Sequence, residues 1–103
     1  MVTITFDPMK DQSNYIKHGV SLALASQLDW YDLVAMPDNR KDYLELREIG
    51  YGIIGQRLYC VVFTQRTTSF HIISLRKANR REVLHYEQEI CLDPANTRGR
   101  RSH

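Results

Sequence analysis

Ile72-Ile73-Ser74-Leu75-Arg76-Lys77-Ala78-Asn79-Arg80-Arg81 is an apolar, β-branched run that ends in two cations and passes at once into a helix start carrying two more. Its first half predicts a strand. Asn79, with Glu82 three residues later, predicts a capping box and a closing helix to about Glu89. A strand that stops at Arg76 and Lys77 and hands over to a helix concentrates fixed positive charge at one sheet edge, where a phosphate could be held. The same residues also read as a solvated strand end beside an ordinary helix start, since charge runs usually face water.

Upstream, Arg66-Thr67-Thr68-Ser69 turns the chain into Phe70 to Leu75, and Leu58 to Phe63 is apolar on both faces, as a central strand requires. Tyr43 to Ile49 alternates as a strand, with Gly50, Gly52 and Gly55 flanking the expected hairpin turn. Leu33 to Met36 reads as a short strand before Pro37, followed by the polar loop Asp38-Asn39-Arg40-Lys41. Nearer the N-terminus, Val2 to Phe6 alternates as a strand and Asp7-Pro8 reads as an N-cap with proline at the first helical position. That helix ends near His18, with Gly19 placed to terminate it. Ser21 caps a second helix, Leu22 to Leu28, with Leu24, Ala25 and Leu28 as its apolar stripe.

Runs of helices and strands kept apart predict an α+β domain: an antiparallel sheet with two N-terminal helices and a C-terminal helix packed on it. The domain is expected over residues 1–90. Residues 91–103, with no apolar residue after Ala95, read as a basic, flexible tail.

A chain of 103 residues builds one core. Its net charge of +2 does not announce a nucleic-acid binder, but acids dominate between Asp29 and Glu48 while arginines gather at Arg76, Arg80 and Arg81 and at Arg98, Arg100 and Arg101. Cys60 and Cys91 make neither a disulfide framework nor a zinc spacing, and Cys60 reads as a small buried hydrophobe. The N-terminus lacks a signal-peptide pattern and no apolar stretch approaches a membrane span, so a soluble cytoplasmic protein with no membrane partner is expected.

No nucleotide-binding glycine loop, nucleophile elbow or metal-spaced His/Cys cluster is present, and neither a cofactor nor a metal is expected. What remains is a set of cations and proton-transfer groups: Lys17, His18, Glu45, Arg47, Arg66, His71, Arg76, Lys77 and Tyr86. In an unbroken strand Ile72, Ser74 and Arg76 share one face and His71, Ile73, Leu75 and Lys77 the other. Arg66 at the turn and Arg76 at the far end then lie several residues apart, a spacing better suited to successive phosphates than to one.

RNA cleavage by attack of the neighbouring 2′-hydroxyl on phosphorus suits such a set. It needs guanidinium donors for the phosphoryl oxygens, which Arg66 and Arg76 can supply, and groups that move protons, for which Glu45, His18, His71 and Tyr86 are candidates. Three of these also have a plainer reading: Tyr86 as a packing residue of an amphipathic helix, Glu45 as a surface ion pair, and His18 as a helix C-terminal cation.

At this point the chain resembles a known family. Phe6-Asp7-Pro8 with Lys10 and Asn14, Lys17-His18-Gly19-Val20-Ser21, Glu45-Leu46-Arg47 with Gly50, Val62-Phe63-Thr64-Gln65-Arg66, Ile72-Ile73-Ser74-Leu75-Arg76-Lys77-Ala78, Glu82 and Tyr86 resemble, in order and spacing, the BrnT toxins, the ribonuclease halves of bacterial BrnT/BrnA type II toxin–antitoxin modules. The resemblance implies a RelE-like fold, metal-independent endoribonuclease activity and arrest of translation. It also implies a BrnA-like ribbon-helix-helix antitoxin as partner, with operator DNA reached only through the toxin–antitoxin complex. By position in the fold order it implies Arg66, Arg76 and Tyr86 at the scissile phosphate. Apart from the resemblance, Tyr86, His18 or Glu45 is expected to assist proton transfer. Lys17, Arg47, His71, Lys77, Arg80 and Arg81 are then expected to bind RNA. The chain departs from the family pattern at three places: His71 replaces an arginine, Leu22 an aromatic residue, and Gln65-Arg66 a Glu-Arg pair. Losing an acid and a cation leaves open a weak or inactive homologue that binds its antitoxin as a co-repressor.

Overall fold

Asp7 and Pro8 start the first helix as their types require. In the computed structural model, which describes residues 2–40 and 45–92, the Asp7 carboxylate accepts the Met9 amide at 2.8 Å, and α1 runs over Pro8–His18. Gly19 closes α1 with φ +76°, its N–H donating to the Tyr15 carbonyl. Ser21 caps the next element, which is a short 3-10 helix, Leu22–Gln27, where an α-helix was expected. Three residues per turn bring Leu22, Ala25 and Leu28 into line, and all three are buried, whereas Leu24 is only partly so. The apolar stripe therefore follows a period of three.

Five strands form one sheet in the order β1-β5-β4-β3-β2, where β1 is Ile4–Thr5, β2 Val34–Pro37, β3 Glu48–Ile54, β4 Arg57–Gln65 and β5 Phe70–Lys77. β2 to β5 are an antiparallel meander with the apolar β4 in the middle, as predicted. The sheet is mixed rather than antiparallel throughout, because β1 pairs in parallel with β5. The long path through the helices and three strands returns β5 beside β1 in the same direction, which no hairpin could do.

The predicted strand Tyr43 to Ile49 is met only in part, its residues 43 and 44 lying outside the described residues. Strand β3 begins at Glu48 and contains both Gly50 and Gly52, and the turn that follows it takes Gly55 at φ +63°. A Cβ at Gly50 would lie 2.5 Å from Leu33 Cδ2, and one at Gly52 would lie 2.9 Å from Leu28 Cδ2. The core leucines cross the strand at the two places where it has no side chain.

One face of the sheet carries the core: Tyr59, Val61, Phe63, Ile72 and Leu75 pack against Leu22, Ala25 and Leu28. Trp30 stacks on Phe70 at 4.6 Å and meets Phe63 edge-on at 5.0 Å. At the β5 edge, beyond the short β1, the buried Asn14 of α1 takes the place of a strand. Its carbonyl oxygen accepts the Leu75 N–H at 3.1 Å, and its amide donates to the Leu75 and Val20 carbonyls at 2.8 and 2.9 Å. A buried backbone edge is thereby satisfied by one side chain.

Helix α2, Arg80–Leu92, follows Asn79 with the predicted capping box: the Glu82 amide donates to Asn79 Oδ1 at 2.8 Å and the Asn79 amide to Glu82 Oε1 at 2.9 Å. The helix continues two residues past the predicted domain limit at 90, and the rest of the predicted tail, 93–103, lies outside the described residues. It meets the sheet through Glu82 and Tyr86 near Tyr51, Val34 and Met36, while Leu84, His85 and Glu87 stand exposed. No helix among the described residues is long and apolar enough to cross a membrane.

Candidate functional site

A register shift decides which side chains meet. Val62 pairs with Ser74 but Phe63 pairs with Ile72, so Ile73 is an extra residue in β5. The face assignment made for an unbroken strand therefore fails. Ile72 joins Leu75 in the core, and His71 moves to the face that carries Ser74 and Arg76. Lys77 pairs with Tyr59 and stays on the face opposite Arg76, which pairs with Cys60.

Two clusters of candidates result, one at each end of β5. At the turn end, Arg66 Nη2 lies 3.9 Å from Glu45 Oε2, both side chains about half exposed. Gln65 donates to Glu48 at 2.7 Å, and His71 Nδ1 is 2.8 Å from the Thr5 hydroxyl. The half-buried Arg47 flanks this end, its carbonyl accepting the Asp38 amide at 2.8 Å, while the Leu46 carbonyl accepts the Thr64 hydroxyl at 2.6 Å.

At the helix end, Arg76 grips Glu82 through two parallel bonds, Nη1 to Oε1 at 2.7 Å and Nη2 to Oε2 at 2.8 Å. Nη1 also donates to the Lys77 carbonyl at 3.3 Å. The Tyr51 hydroxyl donates to Glu82 Oε2 at 2.9 Å. Glu82 thus joins β3, β5 and the start of α2 in one carboxylate.

The electrostatics follow from these contacts. The Arg76 guanidinium, against the cost of burial, and the Asn79 amide hold the Glu82 carboxyl down to about 2. The same pairing raises Arg76 above its ordinary value, so it is a permanent cation. Burial and the bond to Glu82 raise the Tyr51 hydroxyl, making it a donor and a poor base. Burial raises the Cys60 thiol beside them, the state of an inert core cysteine. His18, at the C-terminus of α1, lies close enough to feel Arg76. Burial first, then the charges of Lys17 and Arg76, lower its pKa, so its imidazole is neutral near pH 7.

The structure therefore brings His18, Lys17 and Arg76 to one end, with Arg80 and Arg81 exposed on the first turn of α2. Arg66, Glu45, Arg47 and His71 belong to the other, separated along β5 by about six residues, or roughly 20 Å. Tyr86 is half buried in a groove of about 290 Å³ between α2 and the sheet, with Val34, Met36 and Tyr51 among its lining. Sequence reasoning missed Tyr51 and assigned Glu82 only to the cap. The capping box was a local signal, but a hydroxyl 31 residues away had none. Among the described residues no group of three or more His, Cys, Asp or Glu side chains is placed to hold a metal ion.

The model of one family, described as "Ribonuclease toxin, BrnT, of type II toxin-antitoxin system", matches residues 6–82. A crystal structure of the Brucella abortus ribonuclease toxin BrnT superposes with a TM-score of 0.60 at 21% identity, covering 78% of this chain and 100% of that one. No curated protein matches. The solved structure shares the fold, and the family match spans both ends of β5.

Proposed function

The chain belongs to the BrnT family of ribonuclease toxins of type II toxin–antitoxin systems, and from that membership we propose a metal-independent endoribonuclease whose reaction centre is the Arg76 end of β5. The carrying observation is the oriented guanidinium. Its bonds to Glu82 and Lys77 use three of five N–H donors, leaving Nε and one Nη2 hydrogen on a side chain about one-third exposed. Those two donors suit the non-bridging oxygens of a phosphodiester, whose negative charge grows as the 2′-oxygen adds to phosphorus.

In this reading the neutral His18 accepts the proton of the 2′-hydroxyl as the O2′–P bond forms. The P–O5′ bond then breaks, and the departing 5′-oxygen takes a proton from a second acid, leaving a 2′,3′-cyclic phosphate. Tyr86 is the candidate donor on the α2 side. Lys17, Arg80 and Arg81 supply steering charge at that end, and the turn-end cations Arg47 and Arg66, with His71, would meet phosphates several nucleotides along an extended strand. The lowered His18 pKa fixes the pH response. The acid limb of the cleavage profile falls below the ordinary histidine range, because the base form persists to lower pH.

In the cell such cleavage would arrest translation in the cytoplasm until a BrnA-like ribbon-helix-helix antitoxin bound the toxin, with operator DNA contacted through that complex. The test is incubation of the purified chain with single-stranded RNA in excess chelator. Cleavage to 2′,3′-cyclic phosphate ends is expected, and intact RNA, or cleavage abolished by the chelator, overturns the proposal. A second reading, a non-catalytic module that binds its antitoxin and helps it repress, draws on one observation: Arg76 and Arg66 are each already paired with a carboxylate. Inducible expression in bacteria separates the two, since the module leaves growth unchanged and the nuclease arrests it until the antitoxin is co-expressed.

A further inference from the structure

Most of the surface offers nothing that names a ligand, but the Glu82 junction does more than a helix cap needs. A capping box requires one carboxylate oxygen to reach the Asn79 amide. Here the carboxylate accepts three further hydrogen bonds in addition to the cap: from both Arg76 Nη nitrogens, Nη1 sharing Oε1 with the Asn79 amide, and from the Tyr51 hydroxyl on Oε2. Those partners come from β3, from the end of strand β5 and from the residue that precedes α2. Its side chain is 17% exposed, against 35% for Arg76, so the carboxylate lies behind the guanidinium and the guanidinium faces outward.

We propose that Glu82 is the positioning residue of the reaction, with Tyr51 locking its carboxylate, so that Arg76 presents Nε–H and one Nη2–H to the phosphate in a fixed plane. The proposal rests on the reading of Arg76 as the phosphate ligand. Two parallel bonds fix the plane of a guanidinium where one bond leaves it free to swing. A third bond to the same carboxylate, from a β3 side chain, fixes the carboxylate in turn. The Arg76 donors are thereby fixed before substrate arrives, so no reorganisation is needed as negative charge grows on the phosphoryl oxygens, the condition under which a donor lowers the barrier rather than only aiding binding. The paired carboxylate weakens the field of the guanidinium, and Lys17, Arg80 and Arg81 restore positive potential around the same end.

Glu82→Gln keeps the length of the side chain and an acceptor for the Asn79 amide, but turns an NH2 group toward one guanidinium nitrogen. Tyr51→Phe removes only the lock. Glu82→Gln is expected to lower kcat on a short RNA by about tenfold or more with KM changed less than about threefold, and Tyr51→Phe to lower kcat by a few-fold. In an Arg76→Ala background, Glu82→Gln should have no further effect, because its role runs through the missing guanidinium. A merely structural role predicts otherwise: kcat per folded molecule unchanged by Glu82→Gln, or a loss that persists undiminished in the Arg76→Ala background. Either result overturns the proposal.

NMR of the Arg76 guanidinium provides a readout independent of cleavage. Restricted rotation, with separate Nη signals, is expected in the wild type and averaged signals in Glu82→Gln. A wild type that cleaves no RNA removes the reading of function. The positioning claim is then decided by these signals alone, and like behaviour in both proteins refutes it.

Discussion

Two arginine–glutamate pairs sit at opposite ends of β5, and they differ in everything but chemistry. Arg66 and Glu45 approach to 3.9 Å with both side chains about half exposed. Arg76 and Glu82 form two bonds of 2.7 and 2.8 Å in a partly buried junction that Tyr51 and Asn79 complete. The first is a surface pair worth under about 1 kcal/mol. The second orients a cation. The comparison teaches that a charge run acquires a role when its surroundings fix its direction, and those of Arg76 join its near neighbours Asn79 and Glu82 to Tyr51 from a distant strand.

Breaking the oriented end should have the largest effect. Arg76→Ala is expected to slow RNA cleavage by about 10²–10³-fold, the usual cost of removing one donor from a developing oxyanion. Arg76→Lys, which keeps the charge and loses the planar fork, should recover only a small part of it. Steady-state rates at equal folded concentration decide both.

The strand edge beside Arg76 is held by Asn14, whose side chain makes three bonds to the Leu75 and Val20 backbone. Asn14→Ala strands those buried groups and should destabilise the fold by at least about 2 kcal/mol in urea unfolding. A shift under about 0.5 kcal/mol would show that another group satisfies the edge.

Acid should loosen the junction at the oriented end. The Glu82 carboxyl is held at about 2 in the fold, below its ordinary 4.5, so its contribution is complete above about pH 4.5 and is lost as pH falls toward 2. That contribution is on the order of 3 kcal/mol for the wild type. Glu82→Gln should flatten the stability profile over that window. The smallest effect is expected at the turn end itself, where Arg66→Ala should alter stability by less than about 1 kcal/mol.

Local chemistry made much of the fold legible. Asp7-Pro8, Gly19, Ser21 and Asn79 with Glu82 each marked a helix end through contacts within a few residues, and the doubly apolar Leu58 to Phe63 marked the middle strand. The misses have one character. The extra residue Ile73 in β5, the leucines crossing Gly50 and Gly52, and the parallel pairing of β1 all depend on what the chain meets from far away. The candidate site divides in the same way. Arg76 was visible as a cation ending a strand, whereas the bond from Tyr51 to Glu82 exists only because β3 and β4 pair. The Ile73 bulge also returned His71 to the face of Arg76, yet at the opposite end of the strand, so sharing a face did not bring the two together.

The most direct test compares single-turnover cleavage of one RNA by Arg76→Ala and Arg66→Ala, each checked for folding. A reaction centred on the oriented end predicts a loss of at least about 100-fold for Arg76→Ala and less than about threefold for Arg66→Ala. Equal losses, or a larger loss at Arg66, would contradict it.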